Sequence, residues 1–298
     1  MYKIGSTNTE MNKLIQEAVG APIDGIFGPL TQRYVINWQS ANNLVADGIV
    51  GSKTLDAMGI LDTDIKEHHV VDTEFDLTIE KYYLSKGQYI EQEYPILNDY
   101  LFLHHTAGWN NPYRTIDHWN RDSRGRVATE FVLGGQNVLN NDATYDGVLL
   151  QAFPKGCQGW HLGATGSYYM NRHSVGIEVN SFGYLTGAHK TYTGQQAHPD
   201  QVCKLDEPFR KKKYWHRYSD KQIEVLEKLI LFIASRDNID IRKGLIEWIK
   251  KDGPIKAFGF QEDAYDGKVK GLLNHTNVRK GKTDMFPQPE LIDMLLSL

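Results

Sequence analysis

Cysteine is scarce in this chain. Its 298 residues hold two, Cys157 and Cys203, and neither stands in a paired-ligand motif. That excludes a disulfide-stapled scaffold and a cysteine-rich zinc module, and both side chains read as free thiols. Charge of one sign is lacking too: 33 Lys and Arg stand against 37 Asp and Glu, a formal net charge of -4. Such a balance leaves no electrostatic footprint for nucleic acid, so no nucleic-acid partner is expected. Long hydrophobic runs are missing, which argues against a membrane span and against stable membrane insertion. The opening Met1-Tyr2-Lys3-Ile4-Gly5-Ser6 leads into polar residues and not into the apolar segment of a secretory signal. The chain is therefore expected to be made in the cytoplasm and to stay there, or to leave by another route. No low-complexity tract is present, and the length suits one large domain plus a small one.

What is present begins with an internal repeat. Asp24-Gly25-Ile26-Phe27-Gly28-Pro29-Leu30-Thr31 returns as Asp47-Gly48-Ile49-Val50-Gly51-Ser52-Lys53-Thr54. Asp-Gly supplies a tight turn, the apolar pair anchors it, and the second glycine of each copy starts a helix. Thr7-x-x-Glu10 reads as a capping box ahead of a helix with Met11, Leu14, Ile15 and Ala18 on one face. Leu30, Tyr34, Val35 and Trp38 give a second stripe, and Ala57 and Met58 fall in a short third helix. The repeat, with Trp38-Gln39 standing where a Phe-Gln pair is usual, resembles the three-helix peptidoglycan-binding domain. The expected organisation is this domain over 1–61, an acidic linker over 62–78 and a larger domain over 79–298.

In the larger domain, Tyr100-Leu101-Phe102-Leu103-His104-His105-Thr106-Ala107-Gly108 reads as a short buried strand ending in two histidines. A strand end is a rigid mount, as a metal ligand needs. Far along the chain, His275 is followed by Lys282-Thr283-Asp284. Two imidazoles and one carboxylate, with a fourth position open, form a ligand set for catalytic zinc. His104 and His105 compete for the first place. Residues 79–94 read as two strands around a Lys86-Gly87 turn, 127–135, 149–153 and 174–180 as further strands, and Ser219-x-x-Gln222 as the cap of a helix. Alternating strands and helices imply an α/β fold with a mixed β-sheet flanked by helices, preceded by the small three-helix domain. The basic, aromatic run 209–218 reads as a groove wall or as loop packing. The glycines of 253–271 read as a mobile loop.

These stretches, in their order, resemble the type 2 N-acetylmuramoyl-L-alanine amidases, which share the peptidoglycan recognition protein fold. The family pattern has a strand ending His-x-Thr-Ala, a central Gly-Ile-Glu strand, and a His followed by Lys-Thr-Asp. This chain has them at His104, at Gly176-Ile177-Glu178 and at His275 with Lys282-Thr283-Asp284, and Trp160-His161-Leu162-Gly163 matches a further segment. The resemblance implies Zn2+ held by His104, His275 and Asp284, with Glu178 and Lys282 as catalytic residues and His161 as a substrate contact. It implies bacterial peptidoglycan as the partner and cleavage between N-acetylmuramic acid and L-alanine. The expected setting is a monomeric phage endolysin reaching the wall after holin-type release, or a virion-associated hydrolase. A non-catalytic recognition protein and a zinc peptidase cutting within the stem peptide are the alternatives. Glu130 departs from the family pattern, which has a histidine at that place.

Overall fold

A computed structural model of the chain describes residues 2–6, 9–60, 69–94, 96–163 and 167–298. The chain divides into two compact units, Met1–Val70 and Val71–Leu298.

The first unit contains helices α1 (Thr9–Val19), α2 (Pro29–Ala41) and α3 (Ser52–Met58). Its core gathers Met11, Ile15, Phe27, Val35, Val50 and Leu55. The sequence repeat becomes a structural one because a buried glutamine closes each Asp-Gly turn. Gln16 accepts from the Gly25 N–H at 2.8 Å and donates to Asp24 Oδ1 at 2.6 Å and to the Ile26 carbonyl at 3.0 Å. Gln39 accepts from the Gly48 N–H at 2.9 Å and donates to Asp47 Oδ1 at 3.2 Å and to the Ile49 carbonyl at 2.8 Å. Gly25 and Gly48 take left-handed backbone, φ 75° and 72°, and a Cβ on Gly48 would come within 2.6 Å of Gln32. Gly28 and Gly51 cap α2 and α3 with the same backbone, φ -96° and ψ -174°.

The stripe expected on α2 is corrected. Thr31, Val35 and Gln39 face inward, while Leu30 and Tyr34 are exposed. The buried polar backbone of the turns needs Gln39 and Thr31 as partners, and that demand outranks the apolarity of Leu30 and Tyr34. The expected Thr7-x-x-Glu10 cap lies outside the described residues. So does the stretch 62–68 of the expected linker; the rest of it contains β1 (His69–Asp72), a turn and the start of β2 (Leu77–Lys81). Leu77 and Ile79, both buried, carry a two-residue alternation that the surrounding charges obscure.

In the second unit, β1 and β2 join β3 (Tyr100–His105), β4 (Phe131–Leu133), β5 (Leu149–Gln151), β6 (Ser174–Val179) and β10 (Gly271–Asn274). They form a seven-stranded sheet of order β1-β2-β5-β4-β6-β3-β10. The sheet is mixed: β3 runs parallel to β6 and β10, β4 parallel to β6, and β4 antiparallel to β5. Every residue of β3 is buried, as expected of a central strand covered on both faces. The expected second strand after Lys86-Gly87 does not form, and Ile90 makes only a single bridge to Gln158.

Helix α4 (Pro112–Asn120) packs Ile116 and Trp119 against Val132 and Leu150. Helix α5 (Tyr168–Arg172) precedes β6. Helix α6 (Asp220–Asp237) opens on a complete Ser219/Gln222 capping box and lays Arg236 over the Phe131 ring. Val132 and Phe131 are neighbours on a strand, so α4 and α6 cover opposite faces of the sheet. Helix α7 (Leu245–Asp252) follows, and the expected mobile loop contains α8 (Pro254–Ala257) and α9 (Glu262–Tyr265). A short α10 (His275–Val278) and α11 (Pro289–Ser297) complete the chain. Between β6 and α6, β7 (Tyr184–Leu185), β8 (Val202–Phe209) and β9 (Lys212–His216) make a separate sheet of order β7-β9-β8. Among the described residues no helix is long and apolar enough to cross a membrane.

Candidate active site

The site is built where β3, β6 and β10 end together. In the parallel pairing of β3 with β6, His104 lies opposite Glu178, so both side chains leave the same face of the sheet. β10 pairs with the other edge of β3 and delivers His275 immediately after Asn274. Asn274 is fully buried and brackets the return of the chain. Its side-chain amide donates to the Met285 carbonyl at 2.9 Å, and its Oδ1 accepts from the Met285 N–H at 2.6 Å. That pair of hydrogen bonds holds Asp284 against His275, and it explains how a carboxylate nine positions on returns to the same point.

Nδ1 of His104, Nδ1 of His275 and Oδ2 of Asp284 converge. The separations are 2.9 Å between the two nitrogens, 2.8 Å from His275 to Asp284 and 3.5 Å from His104 to Asp284. All three residues are buried, and their ligand atoms lie within 4.8 Å of one another. A tetrahedral ion with bonds of about 2.0–2.1 Å needs ligand atoms roughly 3.3 Å apart, so this triangle fits one. His105 is not part of it. Adjacent strand residues face opposite ways, and His105 Nδ1 meets the Tyr218 hydroxyl at 2.8 Å, while a Cβ on Gly183 would lie 2.6 Å from its Nε2.

Hydrogen bonding decides which nitrogen of His104 carries its lone pair. The Ser174 hydroxyl donates to the Met170 carbonyl at 2.5 Å and can therefore accept from His161 Nε2–H at 2.7 Å. His161 Nδ1 is then an acceptor for His104 Nε2–H, 2.9 Å away. His104 Nδ1 is left unprotonated and aimed at the other two ligand atoms, the state a metal requires. His161, expected to contact substrate, has its ring in the lining of the cleft, with its two nitrogens bonded to His104 and Ser174. Gly176 leaves room for the ring, since a Cβ there would lie 3.1 Å from His161 Nδ1 and 2.8 Å from Thr129. His161→Ala is expected to weaken metal binding about 10- to 100-fold without unfolding the chain. His161→Gln, which can both accept and donate, should recover part of the loss, and competition with a chromogenic chelator measures both.

Electrostatics separate the roles further. Burial, with the neighbouring His275, pulls His104 down to about 4, so its ring is neutral at neutral pH. Burial works against ionisation of Asp284, but His275 and His104 outweigh it and hold the carboxylate well below its usual range. Glu178 behaves in the opposite way. Burial, followed by the Asp284 charge, pushes it up to about 8, with Lys282 opposing. Glu178 and Lys282 line the same cleft as the His104–His275–Asp284 cluster. Positive charge held by the neighbouring cluster would draw this carboxyl back toward its ionised form, the form that can accept a proton from water.

Two further readings are resolved by geometry. Glu130, the departure from the family pattern, is buried and gripped by Arg236 at 2.6 and 3.1 Å and by Gln151 at 2.9 Å. It is held in a structural ion pair. The basic run 209–218 is hairpin and packing: Trp215 stacks on Phe286 at 4.7 Å, and Lys212 sits 4.3 Å over the Tyr184 ring. Arg210, at the turn with φ 50°, donates to the Lys280 carbonyl at 2.9 Å and to the Thr276 carbonyl at 3.4 Å. It thereby pins the loop that carries Lys282 and Asp284. Cys157 and Cys203 are free thiols.

Residues 12–58 match the family model of a peptidoglycan binding domain, and residues 92–284 match that of N-acetylmuramoyl-L-alanine amidase. Among solved structures, PlyL is 14% identical, with 69% of this chain and 85% of that one covered and a TM-score of 0.37. A mutant endolysin from Bacillus subtilis is 16% identical over 68% of this chain and 99% of its own, with a TM-score of 0.33. AmiD from E. coli, solved with anhydro-N-acetylmuramic acid-L-Ala-D-gamma-Glu-L-Lys, is 19% identical over 53% and 55%, with a TM-score of 0.31. No curated protein matches the chain. The amidase match spans more than half of the sequence and ends on Asp284, the last member of the buried cluster, and on that ground the chain belongs to the N-acetylmuramoyl-L-alanine amidase family.

Proposed function

We propose that the chain hydrolyses the amide bond joining the lactyl group of N-acetylmuramic acid to L-alanine of the stem peptide, with zinc as its metal. The observation that carries this reading is the meeting of His104, His275 and Asp284 beside Glu178 and Lys282 in one cleft of an amidase-family chain. Zinc held there would supply a Lewis acid strong enough to make water nucleophilic near neutral pH. Glu178 takes the proton of the attacking water and passes it to the leaving amine of alanine. Lys282 sets its ammonium toward the oxygen of the scissile carbonyl, where negative charge develops, a contribution of roughly 3 kcal/mol for one such partner. Product analysis on defined muropeptides, with and without a chelator, tests the reading. Release of intact stem peptide with a free L-alanyl amino group, abolished by the chelator, is expected. Cuts inside the stem peptide would make the chain a peptidase, and binding without turnover would make it a recognition protein.

The first unit serves as the wall anchor, raising the effective concentration of the amidase unit on an insoluble polymer. Coupling a wall-binding unit to an amidase suits a phage endolysin that acts as a monomer after the membrane has been opened. Deleting residues 1–62 is expected to reduce binding to sedimented wall severalfold or more while sparing turnover of small soluble muropeptides. Equal losses on both substrates would mean that the helices support the catalytic fold instead.

A further inference from the structure

Beside the cleft stands a pair of exposed aromatic rings that the hydrolytic step does not use. Trp109 follows the turn after β3, and Tyr192 comes from the long segment between β7 and β8. The buried Phe182 lies between them, its ring 5.0 Å from Trp109 and 6.0 Å from Tyr192. The Tyr192 hydroxyl donates to the Ala107 carbonyl at 2.9 Å, and Ala107 lines the cleft. The Trp109 carbonyl accepts from Asn180 Nδ2 at 2.5 Å, and the Gly108 N–H donates to the Ser181 carbonyl at 3.0 Å. Both rings are thus tied to the ends of the strands that carry His104 and Glu178. Trp109 is nevertheless 40% exposed and Tyr192 59%. Large apolar rings, fixed in place and left open to water at the lip of a cleft, mark a binding surface.

We infer that Trp109 and Tyr192 form a saccharide subsite, taking a pyranose ring on the glycan side of the scissile bond. The inference rests on the amidase reading, because that bond has a sugar on its acyl side and a peptide on its amine side. A pyranose ring presents a face of C–H groups, electropositive at hydrogen, that matches the negative face of an aromatic ring, while its hydroxyls stay in water. A groove lined by Trp160, Gly163 and Tyr168 continues past His161 and is left for the stem peptide. The segment 184–218 thereby gains a role: it brings Tyr192 to the lip of the cleft.

The test compares two soluble substrates with the same stem peptide, one carrying the GlcNAc-MurNAc disaccharide and one carrying only a lactoyl group. In the full-length chain, Trp109→Ala and Tyr192→Ala are each expected to raise KM for the disaccharide substrate about 5- to 10-fold with kcat unchanged. The lactoyl substrate should be unaffected. Trp109→Phe and Tyr192→Phe, which keep a ring, should retain most of the affinity. Equal losses on both substrates, or a sugar-dependent loss in Tyr168→Ala in place of these variants, would overturn the subsite. Calorimetric binding of the disaccharide peptide to Glu178→Gln protein, with and without Trp109→Ala, keeps the two readings apart. Trp109-dependent binding, with a wild-type chain that never cleaves the substrate, would remove the amidase reading and keep the subsite. Affinity indifferent to Trp109 would remove the subsite whatever the activity.

Discussion

Replacing His104, His275 or Asp284 with alanine is expected to abolish both metal binding and turnover. Each supplies one corner of the buried triangle, with sides of 2.9, 2.8 and 3.5 Å. Removing one corner leaves two ligands, too few to hold a catalytic zinc. The loss should be close to complete, and elemental analysis of dialysed protein reads it directly. Two controls make the result specific. His105→Ala should keep its metal, because that ring faces Tyr218 on the other side of β3. Asp284→Asn should fail nearly as badly as Asp284→Ala, because the amide keeps the shape but loses the charge that faces two imidazoles. Full occupancy in His104→Ala with loss in His105→Ala would reverse the assignment.

Glu178→Gln is expected to lower the rate by about 10²- to 10⁴-fold while zinc content stays at the wild-type level, the range usual for losing a general base. Glutamine keeps the volume and cannot accept the proton. Glu130→Gln serves as the comparison, and its defect should lie in stability, since it breaks a buried pair with Arg236. A near-normal Glu178→Gln enzyme beside a dead, zinc-replete Glu130→Gln enzyme would move the base to Glu130. The same substitution has a thermodynamic signature in protein stripped of metal. There the folded state holds the Glu178 proton up to about pH 8, whereas a free carboxyl releases it near 4.5. A raised carboxyl contributes stability that is complete below the unfolded value and is lost as pH rises through the folded one. Metal-free wild type should therefore lose stability relative to metal-free Glu178→Gln between about pH 4.5 and 8. Denaturant unfolding at several pH values gives the difference, and a flat difference would mean that folding does not raise the pKa of Glu178.

The candidate site cluster was legible in the sequence because each member sits where local signals are strong. His104 ends an apolar run, Glu178 interrupts one, and His275 and Asp284 bound a short loop. The repeat was legible for the same reason, since each copy carries its own turn and helix start. What escaped were residues whose partners are distant in sequence. Asn274 looks like any polar residue before a histidine, and Tyr218 like any tyrosine before a cap. Their work depends on Met285 and on His105, which no local window contains. His161 was singled out as a substrate contact, and the structure adds its bonds to His104 and Ser174. Its signal, a histidine in a Trp-His-Leu-Gly segment, says nothing of Ser174, and only the Ser174–Met170 bond fixes the direction of the relay. The second strand expected after Lys86-Gly87 failed because alternation alone does not supply a neighbour to pair with.

For protein engineering, the Arg210 contact sets a limit on miniaturisation. The β7–β9 sheet looks like dispensable bulk when the chain is reduced to a lean lytic agent. Its hairpin tip, however, grips the Thr276 and Lys280 carbonyls of the loop that carries Lys282 and Asp284. A shortened variant that omits the hairpin would have to supply a replacement tether for that loop, for instance a rigid turn rebuilt within residues 276–282.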